Sequence, residues 1–115
     1  MGYKDYTGKA LLIKQLSQDL NREVNEDELN DALISLYEKA KQEEDEVQKI
    51  NKVRTLRIFN YMYGIEDGGR IKTNYEVSAA FSTTSEMING IRINMIKTLN
   101  NLLEMPNNIR VKNGR

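Results

Sequence analysis

Leu12, Leu16 and Leu20 repeat every four residues, and between polar turns apolar side chains recur at helical spacing as far as Leu103. The one proline, Pro106, lies beyond that pattern. Proline inside a helix removes a hydrogen bond and clashes with the preceding turn, so no such break interrupts the repeat. No stretch alternates apolar and polar residues as a half-buried strand does. The spacing therefore predicts an all-α chain. Its 115 residues suffice for one domain, or for two small helical lobes sharing a core.

Local signals divide the chain. A first helix is expected after Thr7-Gly8 and through Leu20, with Leu11 and Ile13 widening the leucine face. Asn25 reads as an N-cap, because Glu28 stands three residues on as a capping box requires, and Val24 and Leu29 occupy the staple positions. The helix that follows carries Leu29, Leu33, Leu36, Tyr37 and Ala40 on one stripe. Residues 42–46 are too acidic to pack and read as a solvated helix end or a bend. Asn51 is the expected cap of a third helix, with Val53, Leu56, Phe59, Tyr61 or Met62, and Tyr63 inside, ending at Gly64. Glu66-Asp67-Gly68-Gly69 reads as a turn. Thr73 with Glu76 forms a second capping box, opening a short helix through Phe81. Ser82-Thr83-Thr84 is a hydroxyl-rich turn before a last helix over 85–104, with Ile88, Ile91, Met95, Leu99, Leu102 and Leu103 inside.

Composition narrows the chemistry. The chain has no Cys and no His, which excludes disulfides, thiolate metal sites and the usual nucleophile–base pairs. No enzyme, no cofactor and no metal site is expected. No apolar run reaches the ~20 residues that span a bilayer, so a cytoplasmic protein with no membrane partner is expected. The formal charge is zero but uneven: residues 1–69 hold 10 Lys/Arg against 14 Asp/Glu, and residues 70–115 hold 7 against 3. A basic end on an acidic body suits a chain that meets phosphate at one end.

The short helix, turn and longer helix over 73–104 have helix-turn-helix dimensions, in which the first helix braces on the DNA backbone and the front of the second enters the major groove. Specific strings sharpen this: Tyr63-Gly64-Ile65-Glu66-Asp67-Gly68-Gly69, then Thr73-Asn74-Tyr75-Glu76-Val77 and Phe81-Ser82-Thr83-Thr84-Ser85-Glu86. Together with Ile88, Ile91, Met95, Leu99, Leu102, Leu103 and Pro106, and with Arg54 and Arg57 on the helix before, they resemble region 4 of the sigma-70 family. The resemblance covers about residues 50–106. Leu20 to Leu29 is similar to a region 3 segment of some sigma factors, and also reads simply as a well-capped helix start. The region that binds core polymerase most tightly and melts the promoter has no counterpart here, so a partial sigma is expected.

The resemblance implies a small helical domain with a C-terminal helix-turn-helix and no wing. It divides the chain into an N-terminal helical segment at 1–48, the sigma-like unit at 49–106 and a flexible basic tail at 107–115. It implies promoter DNA as one partner. The β-subunit flap of RNA polymerase, or another transcription factor, would be the second. Thr84, Ser85, Glu86, Met87, Asn89 and Arg92 fall on the recognition helix, and Arg70, Lys72, Thr73 and Lys97 are backbone candidates. Family members place several arginines at the front of this helix, whereas this chain has Ser85, Glu86, Met87, Asn89 and Gly90 there. Glu86 can accept from a cytosine amino group, Asn89 can read adenine and Ser85 can touch phosphate. Gly90 costs about 1 kcal/mol of helix propensity relative to Ala, and a closely packed neighbouring helix is the expected reason for it. Two alternatives stand beside the regulator: a protein-interaction module that kept the fold and lost DNA contact, and a helical bundle with structural duties.

Overall fold

Residues 7–104 are described by the computed structural model, and Pro106 and the tail expected at 107–115 lie outside them. Among the described residues there are five helices and no strand: α1 (Gly8–Leu20), α2 (Glu26–Lys41), α3 (Glu46–Met62), α4 (Asn74–Phe81) and α5 (Ser85–Glu104). None is long and apolar enough to cross a membrane.

Capping explains most of the boundaries. Asn25 Oδ1 accepts from the Glu28 N–H at 2.9 Å, and the Glu28 carboxylate accepts from the Asn25 N–H at 3.2 Å. Thr73 and Glu76 repeat the exchange at the start of α4. Each box satisfies two donors that a helix start leaves open. The C-terminus of α3 closes as a Schellman turn: Ile65 N–H donates to Asn60 O and Gly64 N–H to Tyr61 O, with Gly64 at φ +58.

The start of α3 differs from expectation. Asp45, not Asn51, is its N-cap, with Oδ1 accepting from the N–H groups of Val47 and Gln48. The acidic run therefore holds a cap as well as a bend. A division between residues 48 and 49 falls inside α3, and buried side chains from all five helices form one core. Its centre holds Leu12, Leu16, Leu29, Ile58, Phe59, Met62, Val77, Ile88, Leu99 and Leu103, each under 2 % exposed or at that limit. Ala32, Ile58 and Ile96 are buried beyond the stripes read from spacing, and Tyr37 and Tyr61 stay partly in solvent. α5 packs against each of the other four helices, and α3 against α2, α4 and α5. A helix with neighbours on several sides buries a broader arc than one stripe.

The first turn of α1 is pinned to the loop between α3 and α4. Gly8 N–H donates to Gly69 O at 2.8 Å, and a Cβ at Gly8 would stand 3.0 Å from Ile71 N and closer still to Tyr63 O. Only glycine permits that approach.

Candidate nucleic-acid interface

Three residues separate α4 from α5. Ser82 adopts the left-handed conformation (φ 55, ψ 50), uncommon for a residue with a Cβ, and the Thr83 N–H donates back to Ser78 O at 3.0 Å. Arg54 on α3 braces this bend by donating from Nη2 to Phe81 O at 2.9 Å. Thr84 then starts α5, its Oγ1 accepting from the Met87 N–H at 3.1 Å and its carbonyl from the Ile88 N–H at 3.1 Å.

The front of α5 faces outward. Thr84, Ser85, Glu86, Met87 and Asn89 are all exposed, Met87 at 55 %, while Ile88 points inward and is fully buried. Ile88 thus anchors the first turn and leaves the surrounding side chains in solvent. The expectation that Gly90 sits under a neighbouring helix is overturned, because a Cβ there would meet nothing within 4 Å. Its missing side chain serves no contact inside the described chain.

The cations expected on this surface are differently employed. Arg92 is half-buried, with Nη2 donating to Asn74 Oδ1 at 2.6 Å and Nε contacting Met62 Sδ at 3.2 Å. Lys72 donates to Tyr61 O at 2.9 Å, lies 4.3 Å from the Tyr61 ring centroid and is 3.7 Å from Asp67 Oδ2. Arg70 holds Glu76 with two hydrogen bonds of 2.7 and 3.2 Å. Those bonds, then the Thr73 N–H, keep the Glu76 carboxyl low, at about 2. Thr73 is taken up as the α4 cap. Lys97 is exposed, but it stands twelve residues behind Ser85 along α5, about 18 Å away. The basic excess read from the sequence also thins out. Residues 70–104 carry four cations against three carboxylates, and the rest of the excess is Arg110, Lys112 and Arg115, outside the described residues.

A surface that spacing did not reveal lies between α2 and α3. A trough of about 740 Å³ is lined by Leu33, Ile34, Tyr37, Leu56, Tyr61 and Phe81 among others, together with Glu38, Glu66 and Asp67. A second hollow bearing Lys49, Ile50 and Arg54 adjoins it through Arg57 and Phe81. Of the eight exposed large hydrophobic residues among those described, Ile50 lines the adjoining hollow and Ile34, Tyr37 and Tyr61 line the trough. The oxygen of Asn60 is buried in it without a hydrogen-bond partner. Exposed tyrosines read as core positions gave no warning of the trough, because its walls come from α2, α3, the loop after α3 and the end of α4 together. Among the described residues no cluster of carboxylates is arranged to hold a metal ion.

No family model, no curated protein and no solved structure matches the chain.

Proposed function

We propose that the protein is a cytoplasmic, sigma-like transcription regulator that sets the front of α5 into the major groove of promoter DNA and does so together with RNA polymerase. The observation that carries this reading is the outward stance of Thr84, Ser85, Glu86, Met87 and Asn89 on a helix whose rear is locked in the core. In that stance the Asn89 amide suits the paired acceptor and donor of adenine, and the Glu86 carboxylate suits the cytosine amino group. The Thr84 and Ser85 hydroxyls, with the N–H groups of Ser85 and Glu86, suit a phosphate.

The same surface explains the need for polymerase. Neutralised phosphates supply most of the sequence-independent affinity, and the front of α5 brings no cation of its own to them. The isolated protein therefore binds DNA weakly and with a shallow salt dependence, and polymerase holds it on the promoter. Gel shift with selected DNA tests this directly. A complex is expected with core polymerase present and little or none without it; no complex in either condition overturns the reading.

The trough between α2 and α3 favours a second reading, a polymerase- or sigma-binding module that kept the fold and gave up DNA contact. Ile34→Glu, on the trough wall, and Asn89→Ala, on α5, separate the two. If DNA is read, both variants lose the promoter complex and only Ile34→Glu loses polymerase. If the protein is an interaction module alone, Asn89→Ala changes nothing. A salt-sensitive, sequence-selective complex formed by the protein by itself counts against the second reading.

A further inference from the structure

We propose that Arg92 and Asn74 form a strut that fixes the opening between α4 and α5, making Arg92 a positioning residue for the front of α5 and not a contact to DNA. This rests on the reading of that front as the recognition surface, although the strut itself can be tested without DNA. The two helices form a V with its vertex at 82–84. Asn74 stands eight residues before Ser82, at the first position of α4, and Arg92 stands eight residues after Thr84. The 2.6 Å hydrogen bond from Arg92 Nη2 to Asn74 Oδ1 closes the V opposite its vertex. The vertex is held separately, by Arg54 on Phe81 O. Through Nε and Met62 Sδ the same guanidinium also reaches the end of α3, so one side chain joins three helices.

The electrostatics say that geometry is what this arrangement provides. Among the described residues no carboxylate lies within ion-pairing distance of Arg92. The cation is half-buried and sits beside the N-terminus of α4, where the helix dipole is also positive. Attraction between charges therefore does not account for it. A planar guanidinium fixes the directions of its donors, whereas the apolar packing of Val77 and Ile88 in the core is non-directional. Apolar packing holds α4 against α5; the strut sets the angle.

The chain has no Cys, so introduced cysteines take spin labels without background. Labels at Tyr75→Cys and Lys97→Cys read the α4–α5 distance, and labels at Gln15→Cys and Lys97→Cys read α1–α5 as a control. Arg92→Met is expected to broaden or displace the first distribution and leave the second unchanged. Asn74→Ala is expected to do the same, and the two together to do no more than one, as members of a single interaction do. Arg92→Lys falls between, and Asn74→Asp, which supplies a carboxylate acceptor, keeps the distribution narrow. An unchanged α4–α5 distribution in folded Arg92→Met overturns the strut. Should Arg92→Met broaden both distributions by unfolding, Asn74→Ala decides alone, and an unchanged α4–α5 distance there overturns it equally.

A second arm uses gel shift with core polymerase present. A positioning role predicts that Arg92→Met narrows the preference for selected over scrambled DNA about tenfold, with the salt dependence unchanged. An equal loss on both DNAs, with the salt slope reduced by about one, identifies Arg92 as a phosphate contact and overturns the proposal. If the parent protein binds no DNA under any condition, the recognition reading fails and the distance measurements still decide the strut.

Discussion

In the rear half of α5, Met95, Ile96, Leu99 and Leu103 are buried, and this half meets the N-terminal helices; Asn100 bonds Asp19 at 3.1 Å and Arg22 donates to Leu103 O at 2.9 Å. In the front half Ile88 alone is buried, Ile93 is 58 % exposed and Gly90 faces open space. One continuous helix thus serves two purposes. Its rear is a core element fixed by apolar packing, and its front is a projecting surface held by a cap, an anchor residue and a strut. Rigidity at the rear lets a surface with few contacts keep a defined direction.

Substitutions of graded severity can break or sharpen that contrast. Leu99→Ala, at a fully buried site in the rear half, is expected to cost about 2–5 kcal/mol in denaturant unfolding. A loss well under that range would mean that the rear half is not the anchor described. Thr84→Ala removes the hydroxyl that accepts from the Met87 N–H. The expected loss is about 1 kcal/mol, with hydrogen exchange accelerated in the first turn of α5 and not at Leu99. Gly90→Ala is expected to act in the opposite sense, stabilising the protein by about 0.5–1 kcal/mol, because a methyl in open space gains helix propensity without a clash. Destabilisation by that change would show a neighbour over Gly90 after all. If the front half approaches DNA closely, the same variant gains stability while losing promoter binding.

The smallest effect belongs to pH. Arg70 and the Thr73 N–H hold the folded Glu76 carboxyl at about 2, below its ordinary 4.5. A depressed carboxyl stabilises the fold above the unfolded value, and that contribution is lost as pH falls through the folded value. The stability gap between the parent and Glu76→Gln should therefore be full above pH 4.5 and close toward pH 2. A gap independent of pH across that window would show that the charge of Glu76 contributes nothing to the cap of α4.

Local chemistry was readable in advance, and tertiary chemistry was not. The boxes Asn25/Glu28 and Thr73/Glu76 located the starts of α2 and α4, because a cap and its partner lie within four residues of chain. The start of α3 was missed because Asp45 sits in a run of carboxylates, and because Val47 and Ile50 are exposed and trace no apolar stripe. The exposed front of α5 followed from its hydroxyl-rich turn and polar side chains. The employment of the cations did not follow: Arg92 meets Met62 from thirty residues away and Lys72 meets Tyr61 from eleven. Spacing along one helix carries no information about those encounters.

That α5 touches every other helix also bears on the order in which the molecule can be made. Synthesis runs from the N-terminus, and domains close as units once their partners have emerged. Here the shared partner is the last of the five described helices to leave the ribosome. Until Leu103 is out, α1 to α4 lack the helix that all four share, so a product cut short before Ser85 keeps the α2–α3 and α3–α4 contacts but leaves the apolar side chains facing α5 uncovered.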